Sequence, residues 1–269
     1  MCPVYKFFSV LLLLALFPVN MRSQQIEGRA YYFAKSKMEL GNWGARMSEA
    51  EKKQVQARLK NRLEKTYILT FNKTESLFIE EEKLDAISGA TDSWGSNFSR
   101  GDQYKNIKDT ALVQAQEFYG KKFLVKDKLQ KFNWVLGSES KQIGNYLCFK
   151  AIATVPTTEL VWFDFSWGDL QGQNAEAQGS IPMTAVEAWY TLQIPIGHGP
   201  AEYWGLPGFI LEVSAGNTTI LCSEIVLNPK EKIKIEVPDK GEITQITPYR
   251  TTVQTKMMEM RNSFSGRRN

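Results

Sequence analysis

The chain has 269 residues, 43% of them hydrophobic, which is enough to bury a substantial core. Its net charge of +4 is mild, and the basic residues are interspersed with acidic ones in the manner of a solvated surface. That balance argues against nucleic acid or an anionic membrane surface as a partner.

The first residues read as a signal peptide. Lys6 supplies a positive start, residues 7–17 form an apolar run too short to span a bilayer, and Asn20, Arg22, Ser23, Gln24 and Gln25 follow as a polar flank. Cleavage is expected near Ser23, so 1–23 is leader and the mature chain is exported, periplasmic or secreted. Losing Lys6 and Arg22 lowers the net charge to +2. No cysteine follows the apolar run to carry a lipid anchor, and no later run approaches the ~18 apolar residues of a span.

Residues 25–37 read as the first strand, with Ala30, Tyr32 and Ala34 alternating against Tyr31 and Phe33. Ser48 and Glu51 form a capping-box signature for a helix running to about Glu64, with Val55, Leu59 and Leu63 as its apolar stripe. Strands are expected at 66–72 and 75–84, then a polar loop at 88–101, then short strands at 104–106, 111–118, 121–125 and 132–136. Residues 137–144 read as a hairpin turn into a strand around Cys148. Residues 160–165 are β-prone, and 168–179 are polar and aperiodic. Further strands are expected at 186–194, 209–213 and 218–227, the last two as a hairpin over Gly216-Asn217 with Leu211 opposite Ile220 and Phe209 opposite Cys222. Ile233 and Ile235 suggest one last strand, 251–262 a C-terminal helix, and 263–269 a disordered basic tail.

About a dozen short strands with helices near either end describe one mainly β (α+β) domain over 24–262. The expected architecture is a single curled antiparallel sheet or incompletely closed barrel, because a twisted sheet of this size curls or splits. A two-sheet sandwich is the alternative.

Between two of these strands, Leu206-Pro207-Gly208-Phe209 has the chemistry of a type II turn, with Pro207 presetting φ and Gly208 taking the positive φ. The run Gly205-Leu206-Pro207-Gly208-Phe209-Ile210 resembles the naming motif of the GLPGLI family, with Phe209 where the name has Leu. Gln116-Glu117-Phe118, Gly120-Lys121-Lys122-Phe123-Leu124, Lys141-Gln142-Ile143-Gly144 and Ala188-Trp189-Tyr190 extend the likeness along the mature chain. The resemblance implies an exported protein of Bacteroidetes and carries no established activity. A more distant resemblance, to periplasmic half-barrel carriers, implies an apolar ligand such as a lipid or acyl chain in the concavity.

Candidate chemistry is sparse. His198 is the sole histidine and, between Gly197 and Gly199, reads as a turn residue; no nucleophile or metal-ligand spacing accompanies it, so neither catalysis nor a cofactor is expected. Met257 and Met260 are helical neighbours and read as core, not as a thioether metal site. Cys148 and Cys222 remain after leader removal, and a disulfide worth up to ~4 kcal/mol is favoured over two buried thiols. Trp43, Trp94 and Trp167, each followed by glycine in a polar loop, are candidates to contact a ligand or a partner. Two functions follow from this reading: a non-enzymatic envelope protein holding an apolar ligand, or an accessory subunit binding an envelope protein through loops and a sheet edge.

Overall fold

The computed structural model describes residues 26–37, 46–81, 100–163 and 181–265. The chain opens with β1 (Gly28–Ser36), whose Ala30, Tyr32 and Ala34 are buried while Tyr31 and Phe33 are half-buried on the other face. Helix α1 (Glu49–Leu63) starts at Ser48, whose hydroxyl accepts from the Glu51 N–H while Glu51 accepts from the Ser48 N–H. Glu64 ends it by turning extended, so the chain enters β2 (Glu64–Phe71) with no loop.

A meander follows: β3 (Glu75–Glu80), β4 (Gln103–Asn106), β5 (Ala111–Phe118) and β6 (Lys121–Lys128). A second comprises β7 (Val135–Ile143), β8 (Tyr146–Pro156), the single turn α2 (Thr157–Leu160), β9 (Met183–Thr191), β10 (Phe209–Ala215) and β11 (Thr218–Leu227). The short β12 (Glu242–Thr244) and helix α3 (Ile246–Ser265) complete it.

Among the described residues all twelve strands form one sheet in the order β12-β6-β5-β4-β3-β2-β1-β11-β10-β9-β8-β7. Every neighbouring pair is antiparallel except β12 with β6, so the sheet is mixed. The strand β1 joins the two meanders, pairing with β2 on one side and β11 on the other.

The sheet must roll. Laid flat, β6 and β7 would stand ten strand spacings, ~48 Å, apart. The chain passes from Lys128 to Val135, a path of at most roughly 25 Å even fully extended. The two ends therefore face each other without closing into a barrel. The larger core cluster lies on the concave side of β1, β2 and β8–β11, with Tyr32, Phe71, Phe78, Phe209 and Leu211 at its centre. A smaller cluster joins Leu112, Phe123 and Trp162 to Tyr249, Val253 and Met257 of α3. Met260 packs beside it, so both methionines are core residues.

Several expectations are corrected. Residues 137–144 are mostly strand, and the turn is confined to Gly144-Asn145; β7 has polar residues on both faces because it is an exposed edge. Residues 160–163 do not form a strand: Leu160 ends α2, and Leu160 and Trp162 are buried from a turn, while 164 and 165 of the expected β-prone run lie outside the described residues. Ile233 and Ile235 lie in irregular chain, and the last strand is β12. Helix α3 starts five residues before the expected Thr251 and continues through Ser265, three residues into the expected tail; residues 266–269 lie outside the described residues.

The β10–β11 hairpin pairs Val213 with Ile220 and Ala215 with Thr218, two residues from the expected register, because Gly216-Asn217 alone forms its turn. A shift of two keeps every side chain on its face. Gly208 does not take a positive φ; Gly205 does, at 91°. What demands glycine at 208 is space, since a Cβ there would lie 2.0 Å from the Thr191 carbonyl oxygen.

Cys148 and Cys222 are free and buried, not disulfide-bonded. They lie on β8 and β11 with β9 and β10 between them, whereas a bridge needs Cα atoms within roughly 7 Å. Each thiol instead donates to a carbonyl on its own strand, Cys148 to Tyr146 at 3.7 Å and Cys222 to Glu224 at 3.4 Å. Burial pushes their pKa values up to about 11 and about 12.

Candidate functional site

The connection 192–208 between β9 and β10 folds into the concave side of the rolled sheet. Ile194, Ile196, Tyr203 and Leu206 enter the larger core cluster, while Trp204 reaches the smaller one. Backbone bonds hold it against itself, Gly205 N–H donating to the Gly197 carbonyl at 2.9 Å and Ile210 N–H to that of His198 at 3.0 Å. Side chains from distant elements fix it further. Trp134 Nε1 donates to the Trp204 carbonyl at 2.9 Å, Trp204 Nε1 to the Gln130 carbonyl at 2.6 Å, and the Tyr32 hydroxyl to the Ile210 carbonyl at 2.6 Å. Gly205, Leu206, Pro207 and Gly208 therefore belong to the last turn of this plug, with Leu206 and Gly208 buried and Gly205 and Pro207 exposed.

Lys105 of β4 is the plug's strongest anchor. Fully buried, its ammonium donates to the carbonyls of Gly199 (2.7 Å), Ala201 (2.5 Å) and Tyr203 (3.1 Å), one for each N–H. Burial lowers its pKa to about 7; Glu202 favours the charge and Arg100 opposes it. Beside it on the inner faces of β4 and β5, Gln103 Nε2 donates to Gln114 Oε1 at 2.9 Å, and Gln114 Nε2 to Gln116 Oε1 at 3.1 Å. This buried polar ladder was not anticipated. Its signal was available, because Gln114 and Gln116 share strand parity with Leu112 and Phe118.

His198 is fully buried, so the plain turn reading is corrected: it forms an isolated bridge with Trp204 beneath the sheet. Neither ring nitrogen makes a well-formed hydrogen bond among the described residues. Burial pulls its pKa down to about 3, Lys105 adds to the pull, and the Asn72 backbone weakly opposes it. A neutral, enclosed imidazole of this kind is a packing group.

At one rim of the rolled sheet, beside the plug, lies a cavity of about 410 Å³. The rim is where β1 ends at Ser36, β2 begins, β10 ends at Ala215 and β11 begins at Thr218. Leu63 of α1, Leu160, Val161, Phe163 and Ile220 supply apolar wall. Tyr67, Arg100, Glu202 and Tyr203 supply a polar one. Arg100 and Glu202 form an ion pair at 2.5 Å, with side chains 12% and 11% exposed, and the Arg100 guanidinium stacks 4.6 Å from the Phe163 ring centre. Burial works against the Arg100 charge, yet Glu202 holds its pKa above the ordinary value. Burial raises Tyr67 to about 12 and carries Tyr203 well above the usual tyrosine range.

A wider groove of about 540 Å³ runs between α3 and the β5–β6 hairpin, but its Lys121 and Lys256 are paired with Glu242 and Glu259. The candidate contact residues Trp43, Trp94 and Trp167 lie outside the described residues. Among the described residues no three His, Cys, Asp or Glu side chains gather as a metal site, and no helix is long and apolar enough to cross a membrane.

A family model described as a protein of unknown function (Porph_ging) matches residues 134–212, under a third of the chain, from the end of the β6–β7 connection to β10. No curated protein matches. Two solved structures of PNGF-II are similar over 86% of this chain at 14% identity, with TM-scores of 0.47 in the C2 space group and 0.49 in P21. The chain spans a third of the length of those PNGF-II chains. The chain is thus similar, over the segment that carries the plug, to a family whose function is unknown.

Proposed function

We propose that the protein is an exported, non-enzymatic envelope protein of the GLPGLI kind that binds a small molecule with an apolar body in the rim cavity. The observation that carries this reading is the cavity itself. Its size falls in the range of small-molecule sites, roughly 300–1,000 Å³, and it combines an apolar wall with a few placed polar groups. The plug occupies the middle of the concavity, so the ligand site is displaced from there to the rim. The non-enzymatic reading is supported by the ion pairs Arg100–Glu202 and Lys65–Glu80, the latter at 2.6 Å, which hold each carboxylate against a cation instead of leaving it poised as a base.

The test is native mass spectrometry of the mature protein purified from its own cell envelope. A bound small-molecule mass is expected in the unaltered protein and lost in a Val161→Trp variant, whose indole would fill the mouth from a half-exposed position. A bare mass at every step would sink the reading. The second reading, an accessory subunit, is favoured by the free edge at β7, where Val135 and Leu136 are exposed. Crosslinking in cells from position 135 would recover a protein partner if that edge is used. The charges of Glu139 and Lys141 on the same strand blunt it, which ranks it second.

A further inference from the structure

We propose that the ligand of the rim cavity is an amphipathic monoanion: one carboxylate on an apolar body, anchored by Arg100, with Glu202 as the built-in competitor for that anchor. This rests on the cavity being a ligand site and adds the chemical class.

Charge balance makes the case. Arg100 and Glu202 line the cavity as an ion pair and the buried Lys105 ammonium acts on both electrostatically, two cations to one carboxylate among these three groups. The three hydrogen bonds of Lys105 go to neutral carbonyls, so they satisfy its donors without neutralising its charge. Lys65, the other cation on the lining among the described residues, is balanced by Glu80. Among these groups one positive charge therefore stays uncompensated while Lys105 is protonated, below its pKa of about 7, in a setting where an isolated charge is costly. A single carboxylate at Arg100 would balance it, whereas a dianionic phosphate would leave a net negative charge in its place.

The geometry suits the anchor. The chain beside Arg100 is pinned, because Gly101 N–H donates to Gln116 Oε1 at 2.6 Å. A Cβ at Gly101 would lie 1.7 Å from the Ala115 carbonyl oxygen, which shows how closely the two backbones approach. Arg100 therefore cannot drift from the cavity with its segment. Glu202 engages Nη1, while a guanidinium carries five N–H donors in a planar fork that matches carboxylate geometry. Phe163 packs on the guanidinium, and Leu63, Leu160, Val161 and Ile220 continue the apolar wall from there. Head and body positions are thus adjoining.

The test is calorimetric titration of the mature protein with octanoate and with octan-1-ol, its uncharged counterpart. The wild-type protein is expected to prefer octanoate by on the order of tenfold, the scale of one charge-assisted hydrogen bond in a partly buried site. Glu202→Gln removes the competitor and should tighten octanoate by a similar factor while leaving octan-1-ol unchanged. The double variant Arg100→Gln, Glu202→Gln removes both charges together, avoiding a lone buried carboxylate, and should bind the two probes alike. Equal binding of both probes by wild type and Glu202→Gln would overturn the anionic class while leaving the cavity as a ligand site. Binding of neither, or binding unaffected by Val161→Trp, would overturn the cavity reading as well.

Discussion

Lys105 places a titratable ammonium where only backbone carbonyls receive it, and pH reads the consequence. Its folded pKa of about 7 lies below the ordinary lysine value because burial disfavours the charge. The unfolded chain therefore holds more protons between the two values, and stability rises with pH across that window. From pH 7 to pH 9 the gain is roughly 2 kcal/mol at 1.36 kcal/mol per unit. Urea denaturation at the two pH values would measure it, and a Lys105→Met variant should lose most of the rise whatever its absolute stability. His198 acts in the same sense at lower pH. Its value of about 3 means that stability declines as pH falls from about 6.5, and His198→Phe should flatten that decline. A rise in stability on acidification from pH 6.5 to 5 would contradict the buried neutral imidazole.

At the scale of elements, the plug depends on close approach more than on turn chemistry. Gly208→Ala would force a methyl against the Thr191 carbonyl where β10 begins beside β9, at the Phe209–Thr191 pair. A loss of about 3 kcal/mol or more in urea denaturation is expected, since backbone would have to move. Gly205→Ala, by contrast, meets only Trp134 Nε1 at 4.0 Å, an ordinary contact, and bears the cost of a positive φ, about 1–3 kcal/mol. A milder effect at 208 than at 205 would reverse this assignment.

These two glycines also mark what could be read before the fold was known. Position 208 was legible as constrained, but the reason was tertiary: Thr191 is its neighbour only through β9–β10 pairing. Helix α1 was legible nearly to the residue because its capping box is a local device. Hairpins over Asn72-Lys73-Thr74 and Gly216-Asn217 were legible for the same reason. The edge strand β7 was not, because it buries little and so has no alternation to show. Lys105 and Arg100 were passed over because a cation in a polar-looking stretch is ordinarily solvated. Their partners, Ala201, Glu202 and Tyr203, lie about a hundred residues away.

For the whole molecule, β1 decides cohesion. The sheet halves β2–β6 and β7–β11 are each built from strands that neighbour their successors, and β1 is the hydrogen-bonded link between them. Its Ala30 and Tyr32 are wholly buried. Amide hydrogen exchange should therefore find the β1 core protected to the level of global unfolding, with β7 and β12 at the free edges exchanging through local opening. Fast exchange at Tyr32 under native conditions would mean that the halves separate.

The pairing of β1 with β11 also sets a timetable. Ser36 and its partner Thr218 are 182 residues apart. A chain emerging N-terminus first, at the roughly 5–20 residues per second of synthesis, exposes β1 for about ten to forty seconds before β11 exists. During that wait β2 can cover only one side of it. The open side is a strand edge awaiting its complement, and in a crowded cell the first neighbour to reach it could be another copy of the same unfinished chain.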